Sequence, residues 1–336
     1  MPDLFITEFG VSLGKKSERL VVKEKGQVVT EVPFRDLSQI TIASAGVSIS
    51  ADVIRECMEF GVQINFLTPG GKPYARLTAP NLTGTVVTRR EQILAYRDER
   101  GLNLAKCFVE GKLKNQANLL KYFSKYRRNA DAALFEALQA VCRRLEDALR
   151  ELDEIKGENV DEARPLIFSV EGRAAQQYWE AVGLLLRGHA EFAGREHREA
   201  ADPVNFALNY GYGILYGQVW GAVMLAGLEP FAGFLHTDRP GKPSLVLDLT
   251  EEFRAVVVDR AIISFFTRGG TLTTEEGKLS PESRREVARR VLERLDGDEN
   301  YEGKKHRVRT VIQMQSRRLA SFLRGEGKYR PFVAGW

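Results

Sequence analysis

Cysteine is scarce in this chain: Cys57, Cys107 and Cys142 are the only three among 336 residues, with no CxxC spacing and no even set to pair. Each falls in a helical pattern, so all three are expected as reduced core thiols. Histidine is nearly as sparse. With only His189, His197, His236 and His306, a multi-histidine metal cluster would consume almost the whole supply. No apolar run approaches the about 20 residues of a membrane-spanning helix. The opening MPDLFITEFG lacks the basic and apolar segments of a secretion signal, so the expected location is the cytoplasm, with no membrane partner. No glycine-rich phosphate loop joins a first strand to a helix, which argues against a dinucleotide-binding fold.

What is present is core-forming sequence and patterned charge. Hydrophobic residues make up 43% of the chain and charged residues 28%, which argues against global disorder and gives enough core for two domains or one elaborate one. The net charge of +4 says little alone. Residues 301–330, however, hold nine lysines or arginines against Glu302 and Glu326. Such spacing suits contacts to successive phosphates and equally suits a solvated helix.

The first 80 or so residues read as β-rich. Residues 11–13, 19–22, 27–30 and 39–42 are strand candidates, with a tight reversal at Lys25-Gly26. Ser50 is placed to cap a helix over 51–60. A strand over 62–67 and a Pro69-Gly70-Gly71-Lys72 turn into 74–77 follow. Pro80-Asn81-Leu82-Thr83-Gly84 is the expected boundary. From there helical periodicity takes over, at 86–100, 102–127 and 131–151, with interruptions at Gly101 and near Asn129-Ala130-Asp131. A helix carrying Glu171 follows, then one opened by Pro203 in its first turn. A short hairpin over 271–279, a helix after Ser280 and a final basic helix over 307–323 complete the pattern. The expected fold class is α+β: a small β-rich N-terminal domain, 1–84, before a larger, predominantly helical domain, 85–336.

The chemistry-bearing letters are Glu171, His236, Asp248 and Glu251. Hard divalent cations favour carboxylate oxygens, and manganese accepts an imidazole beside them. Glu171, His236 and Glu251 would therefore suit Mg2+ or Mn2+ if the fold brought them together. Locally the same letters have a plainer reading: Asp248 as a helix N-cap, with Glu251 at the third position of a capping box.

Three blocks then carry a family resemblance. They are Glu171-Gly172-Arg173-Ala174-Ala175 through Trp179; Asp202-Pro203-Val204-Asn205 through Gly217; and Gly233-Phe234-Leu235-His236, with Arg239 to Leu245 and Asp248-Leu249-Thr250-Glu251-Glu252-Phe253-Arg254. In this order and combination they resemble the CRISPR adaptation integrase, over essentially the whole chain. The resemblance implies a metal-dependent DNA integrase and endonuclease that joins the 3′-hydroxyl ends of prespacer DNA to phosphodiesters at repeat boundaries. It implies Glu171, His236 and Glu251 as catalytic metal ligands, with Asp248 as an additional acidic position. Gly241-Lys242-Pro243 forms an insertion-like turn that removes no ligand.

Tyr216 matches a tyrosine near the active site in this family and is a candidate for positioning a DNA end, although an aromatic there equally suits core packing. Arg307, Arg309, Arg317, Arg318 and Arg324 are candidate DNA contacts. A second basic region comprises Arg89, Arg90, Lys112, Lys114, Lys121, Lys125, Arg127 and Arg128. The resemblance also implies a homodimer formed through the N-terminal region. Two dimers would join a dimer of the small second adaptation protein in a heterohexamer on prespacer and repeat DNA, and an end-trimming nuclease is a further candidate partner. Two rival readings remain at this point: a structure-selective repair nuclease, with water replacing the DNA hydroxyl, and a noncatalytic nucleic-acid scaffold.

Overall fold

The computed structural model describes residues 3–37, 39–79, 85–125, 127–196, 200–275 and 277–335. The expected boundary at 80–84 lies outside the described residues. Among the described residues before it come eight strands, one α-helix and a 3-10 turn (Phe34–Asp36): β1 (Asp3–Ile6), β2 (Ser12–Lys16), β3 (Arg19–Glu24), β4 (Gln27–Pro33), β5 (Gln39–Ile42), β6 (Ser48–Ile49), α1 (Ala51–Glu59), β7 (Gln63–Leu67) and β8 (Pro73–Leu77).

One sheet has the order β4-β3-β2-β6, an antiparallel meander extended by a parallel β6. Lys25 and Gly26 both have positive φ, the geometry that lets a two-residue hairpin follow the natural strand twist. The second sheet, β1-β5-β7-β8, is parallel through β7 and closes with an antiparallel hairpin. Residues Leu13, Leu20, Val22, Ile40, Ile42 and Ile64 share a core with Val53 and Cys57 of α1, whose N-cap Ser50 accepts from Val53 N–H.

Strand alternation then has an unexpected use. In β5 and β7 the isoleucines face this small core, while Gln39, Thr41, Gln63 and Asn65 occupy the alternate positions. Those polar residues are also buried, against the helical part of the chain. Gln39 donates to Gln218 at 3.0 Å, and Asn65 donates to Gln39 at 3.1 Å.

The helical part comprises α2 (Thr85–Ala95), α3 (Glu99–Ser124), α4 (Ala132–Glu154), α5 (Val160–Leu186), α6 (Pro203–Leu225), α7 (Ser244–Arg254) and α8 (Arg260–Thr267), the last two joined by a π-helical turn, Ala255–Asp259. Then come the hairpin β9 (Thr274–Glu275) and β10 (Lys278–Leu279), α9 (Pro281–Asp296), the hairpin β11 (Asp298–Tyr301) and β12 (Lys304–Arg307), and α10 (Val308–Leu323). Side chains of Asp98, Asp131, Asn159, Asp202 and Ser280 cap α3, α4, α5, α6 and α9. The expected break at Gly101 lies instead around 96–98, because Asp98 is the cap, and Gly101 sits inside α3. Strand β1 and the β11–β12 hairpin had no counterpart among the sequence expectations. All three cysteines are buried and unpaired.

Helix α6 is apolar nearly all round and lies at the centre. Its glycines at 213, 217 and 221 recur every four residues, forming one stripe. A Cβ on Gly213 would stand 1.7 Å from the carbonyl oxygen of Gly71, and one on Gly221 would stand 2.3 Å from Gln63 Oε1. The stripe is therefore the groove that receives the β7–β8 sheet edge and turn. No described helix is long and apolar enough to cross a membrane.

Candidate functional site

One face of α5 supplies much of the site. Arg164, Phe168 and Glu171 recur at helical spacing; Arg164 and Phe168 meet the loop between α6 and α7, while Glu171 reaches Lys112 of α3. Arg164 donates from Nε to the Leu235 carbonyl and from Nη2 to the Phe234 carbonyl, both at 3.0 Å. The Phe168 ring meets His236 edge to face at 6.0 Å between centroids.

Asp248 grips the same loop from the other side. Its Oδ2 accepts the N–H groups of Phe234 at 2.7 Å and Leu235 at 3.0 Å, and Oδ1 accepts that of His236 at 2.9 Å. Gly233 is required by this close approach, since a Cβ there would stand 2.6 Å from Ser244 Cβ and 2.9 Å from Asp248 Oδ2. The imidazole Nδ1 of His236 lies 2.7 Å from Asp248 Oδ1. A carboxylate acceptor there places the proton on Nδ1 and leaves the Nε2 lone pair for another partner.

The helix-cap reading of Asp248 is thereby corrected. Helix α7 begins at Ser244 after an uncapped Pro243, so Asp248 lies in its second turn and organises the loop instead. Asp248→Asn loses carboxylate acceptors and reverses the tautomer preference. We expect metal affinity or activity to fall about 10–100-fold, read by Mn2+ titration alongside a thermal melt showing a modest loss of stability.

Glu251, one turn further along α7, is 4% exposed. Its Oε2 lies 2.9 Å from Lys112 Nζ of α3, and its Oε1 lies 3.3 Å from Arg254. The same Lys112 ammonium donates to Glu171. Glu171 and Glu251 are thus gathered about one cation, with His236 near enough to act on the Glu251 charge. Burial alone would push the Glu251 carboxyl up; Arg254, Lys112 and His236 outweigh it and hold the pKa at about 2. Burial would likewise lower Lys112, but Glu251 and Glu171 raise it above the ordinary lysine value.

Among the described residues, no three histidine, cysteine or acidic side chains stand together as a ready metal cage. The donor chemistry nevertheless fits a divalent cation. Glu251 Oε2 is buried without an aligned hydrogen bond, two carboxylates already converge on a positive charge, and the imidazole is held through Nδ1 by Asp248.

Lys112 is the residue that sequence reasoning misplaced. It was grouped with a basic DNA-facing region, but its side chain is nearly buried between the two acids. Arg254 and Arg164 were also missed, as was the buried network in which Tyr178 donates to Asp259 at 2.7 Å and Tyr212 donates to the same carboxylate.

The C-terminal arginines separate by partner. Arg309, 10% exposed at its side chain, bonds to Asp3 at 2.7 Å and Asp296 at 2.8 Å, tying α10 to β1. Arg318 pairs with Glu302, and Arg324 bonds to Glu326 at 2.7 Å and Thr88 at 2.9 Å. Arg307 is exposed, 3.9 Å from Asp296, and Arg317 is exposed. In the second basic region, Lys114 pairs with Glu110, Lys121 with Glu146 and Arg89 with Glu229. Tyr216 packs edge to face on Trp220 and lines a separate cavity.

A loop histidine and two helix-borne acids sharing one lysine, with their donor chemistry, suit a phosphodiester-processing enzyme of the nuclease or integrase class. The comparisons agree. Residues 4–293 match the family model "CRISPR associated protein Cas1". The chain is 38% identical to CRISPR-associated endonuclease Cas1 1 of Archaeoglobus fulgidus, over 99% of each chain. Its structure resembles a casposase bound to integration product, with a TM-score of 0.82 and 25% identity, covering 99% of this chain and 93% of that one. It also resembles a chain of a Cas6-RT-Cas1–Cas2 complex at a TM-score of 0.78 and 19% identity, over 99% of this chain and 36% of that one. The chain belongs to the Cas1 family of CRISPR-associated endonucleases.

Proposed function

We propose that this chain is a divalent-metal-dependent DNA integrase of spacer acquisition. The observation that carries the reading is the convergence of Glu171 and Glu251 on one cation, beside an imidazole whose Nδ1 is fixed by Asp248. The likeness to a casposase bound to integration product supports joining as the reaction class.

Glu171, Glu251 and His236 would hold Mg2+ or Mn2+. The ion would supply Lewis-acid polarisation of a phosphate and stabilise charge on attacking and leaving oxygens. The 3′-oxygen of the prespacer attacks phosphorus at a repeat boundary and forms a new phosphodiester. The bond to the repeat's own 3′-oxygen breaks, so the proton lost by the attacking hydroxyl is balanced by one gained by the leaving hydroxyl. No protein nucleophile and no external energy source are required, and the same centre runs the reverse joining of a branched intermediate. Asp248 and Arg164 hold the histidine loop in register, while Lys112 holds the paired acids together and helps keep Glu251 ionised.

DNA is the proposed substrate, with exposed Arg307 and Arg317 among its backbone contacts. The proposed assembly is a homodimer bound to a small second adaptation protein of the Cas2 type. Phe9, Val28, Val29 and Phe60 expose apolar surface in the N-terminal region, which supports a contact between copies there. The first test is rejoining of a labelled branched DNA with Mg2+ or Mn2+. The expected result is joined strand that disappears with EDTA. Cleavage without joining would instead favour a hydrolytic nuclease, and metal-independent joining would remove the proposed ion.

A further inference from the structure

The joining chemistry makes no use of Asp259, a carboxylate only 1% exposed at the end of the π-helical turn that follows α7. On a regular α-helix a residue and the fifth one after it diverge by about 140°. A π turn, closed by i→i+5 hydrogen bonds, brings them nearer to one face. Here the Arg260 N–H donates to the Ala255 carbonyl, and Arg254 and Asp259 both meet the same side chain, Tyr212 of α6.

That side chain is fixed at its tip and along its ring. Its hydroxyl donates to Asp259 Oδ1, while Tyr178 of α5 donates to Oδ2 at 2.7 Å. Burial and the neighbouring carboxylate push the Tyr212 phenol well above its ordinary pKa, so it stays a donor. The Arg254 guanidinium lies 5.0 Å from the ring centre and that of Arg195 lies 5.3 Å from it. Arg195 is itself held by Asn205 at 2.9 Å and Asn209 at 2.6 Å. A cation over an aromatic face gains most where water is excluded.

Arg254 therefore stands between two attractions. The negative charges of Glu251 and Asp259 both act on it, and the Tyr212 ring lies beside it. Its Nη2 stops 3.3 Å from Glu251 Oε1, longer than the about 2.7–2.9 Å of a charge-assisted N–H···O bond. Opposite charges in so buried a place would otherwise close on each other. A closed pair would engage Oε1 and compete with any ion for it. We propose that Tyr212, anchored by Asp259, is a positioning residue that draws Arg254 off Glu251 and leaves that carboxylate available to a divalent ion. The inference rests on the metal-dependent function proposed above and deepens it, since it assigns the balance between ion and guanidinium at one ligand to residues that touch neither the ion nor DNA.

The test follows Mn2+ binding to the full chain by electron paramagnetic resonance, with a thermal melt of every variant. Tyr212→Leu removes the ring without changing any charge. It should weaken Mn2+ binding about 10-fold, the low end of the range for residues that support a metal ligand. Tyr212→Phe keeps a ring beside Arg254 and should lose much less. Arg254→Met supplies the deciding background: with no guanidinium to close on Glu251, adding Tyr212→Leu should cost no further affinity. If Tyr212→Leu does not fold, Asp259→Asn is measured in the same two backgrounds with the same expectation. Wild-type affinity in folded Tyr212→Leu, or an equal loss with and without Arg254, would overturn the positioning role and leave Glu251 as a ligand. No Mn2+ binding by the wild-type chain would instead remove the ion, and this role with it.

Discussion

Glu251→Gln is expected to reduce metal-dependent joining of branched DNA by at least about 100-fold while retaining DNA in a gel shift. The substitution keeps the shape of the side chain and removes one negative charge. That charge is the one on which Lys112, Arg254 and the His236 region converge. An amide is a poor ligand for a hard divalent cation compared with a carboxylate. Mn2+ binding, followed by electron paramagnetic resonance, should therefore weaken together with joining.

The variant also leaves two buried cations with less compensation. Removing one partner of a buried ion pair costs about 3–5 kcal/mol, and the glutamine oxygen should recover part of this as a hydrogen-bond acceptor. A melt must accompany the assay for that reason. Unchanged joining in a folded Glu251→Gln protein would remove Glu251 from the ligand set. Loss of joining with full Mn2+ binding would make its role electrostatic rather than ligating.

The second large effect is structural and sits one residue away. Glu252 is fully buried, yet both of its oxygens are used. Tyr329 O–H donates to Oε1, while Phe332 N–H at 2.8 Å and Gln315 Nε2 at 3.0 Å donate to Oε2. Asn115 continues the clamp: it donates to the carbonyls of Glu252 and Phe332 and accepts from Ala334 N–H, each at 2.8 Å. The Phe332 ring stacks on Phe253 with centroids 5.2 Å apart.

Glu252→Ala leaves three buried donors without an acceptor and opens a void. The expected loss is about 3–5 kcal/mol, lowering the melting temperature by roughly 10 °C in a chain of this size. Hydrogen exchange should localise the first loosening to residues 329–335. Unchanged exchange there, or a melt like the wild type, would show that the clamp contributes little.

Much of the local architecture was legible before any coordinates. Ser50, Pro203 and Ser280 announced helix starts because a cap or a first-turn proline acts within a few residues. The Lys25-Gly26 reversal was readable for the same reason. Failures came where local grammar has two meanings. Gly101 looked like a helix end, but Asp98 capped the helix just before it. Asp248 had the chemistry of a cap and instead holds the amides of a loop before its own helix. The polar alternation of β5 and β7 would ordinarily mark a solvent face, whereas Gln39, Gln63 and Asn65 are covered by α6.

By itself the sequence determined most of the strands and helices, though not β1 or the β11–β12 hairpin, the mostly helical second part, and the short blocks that contain Glu171, His236, Asp248 and Glu251. Those are decided by hydrophobic period, backbone capping and residue chemistry over a few turns. Only the tertiary structure decided that Lys112 stands between two acids, that Arg164 and Asp248 clamp one loop from opposite sides, and that Arg309 ties α10 to β1. It also decided that the glycines of α6 form a groove for a sheet. Periodicity records which face of an element is buried but not what covers it, and charge in a sequence records no partner. Lys112 and Glu171 are 59 residues apart in the chain, and only the packing of α3 against α5 and α7 makes their charges a single site.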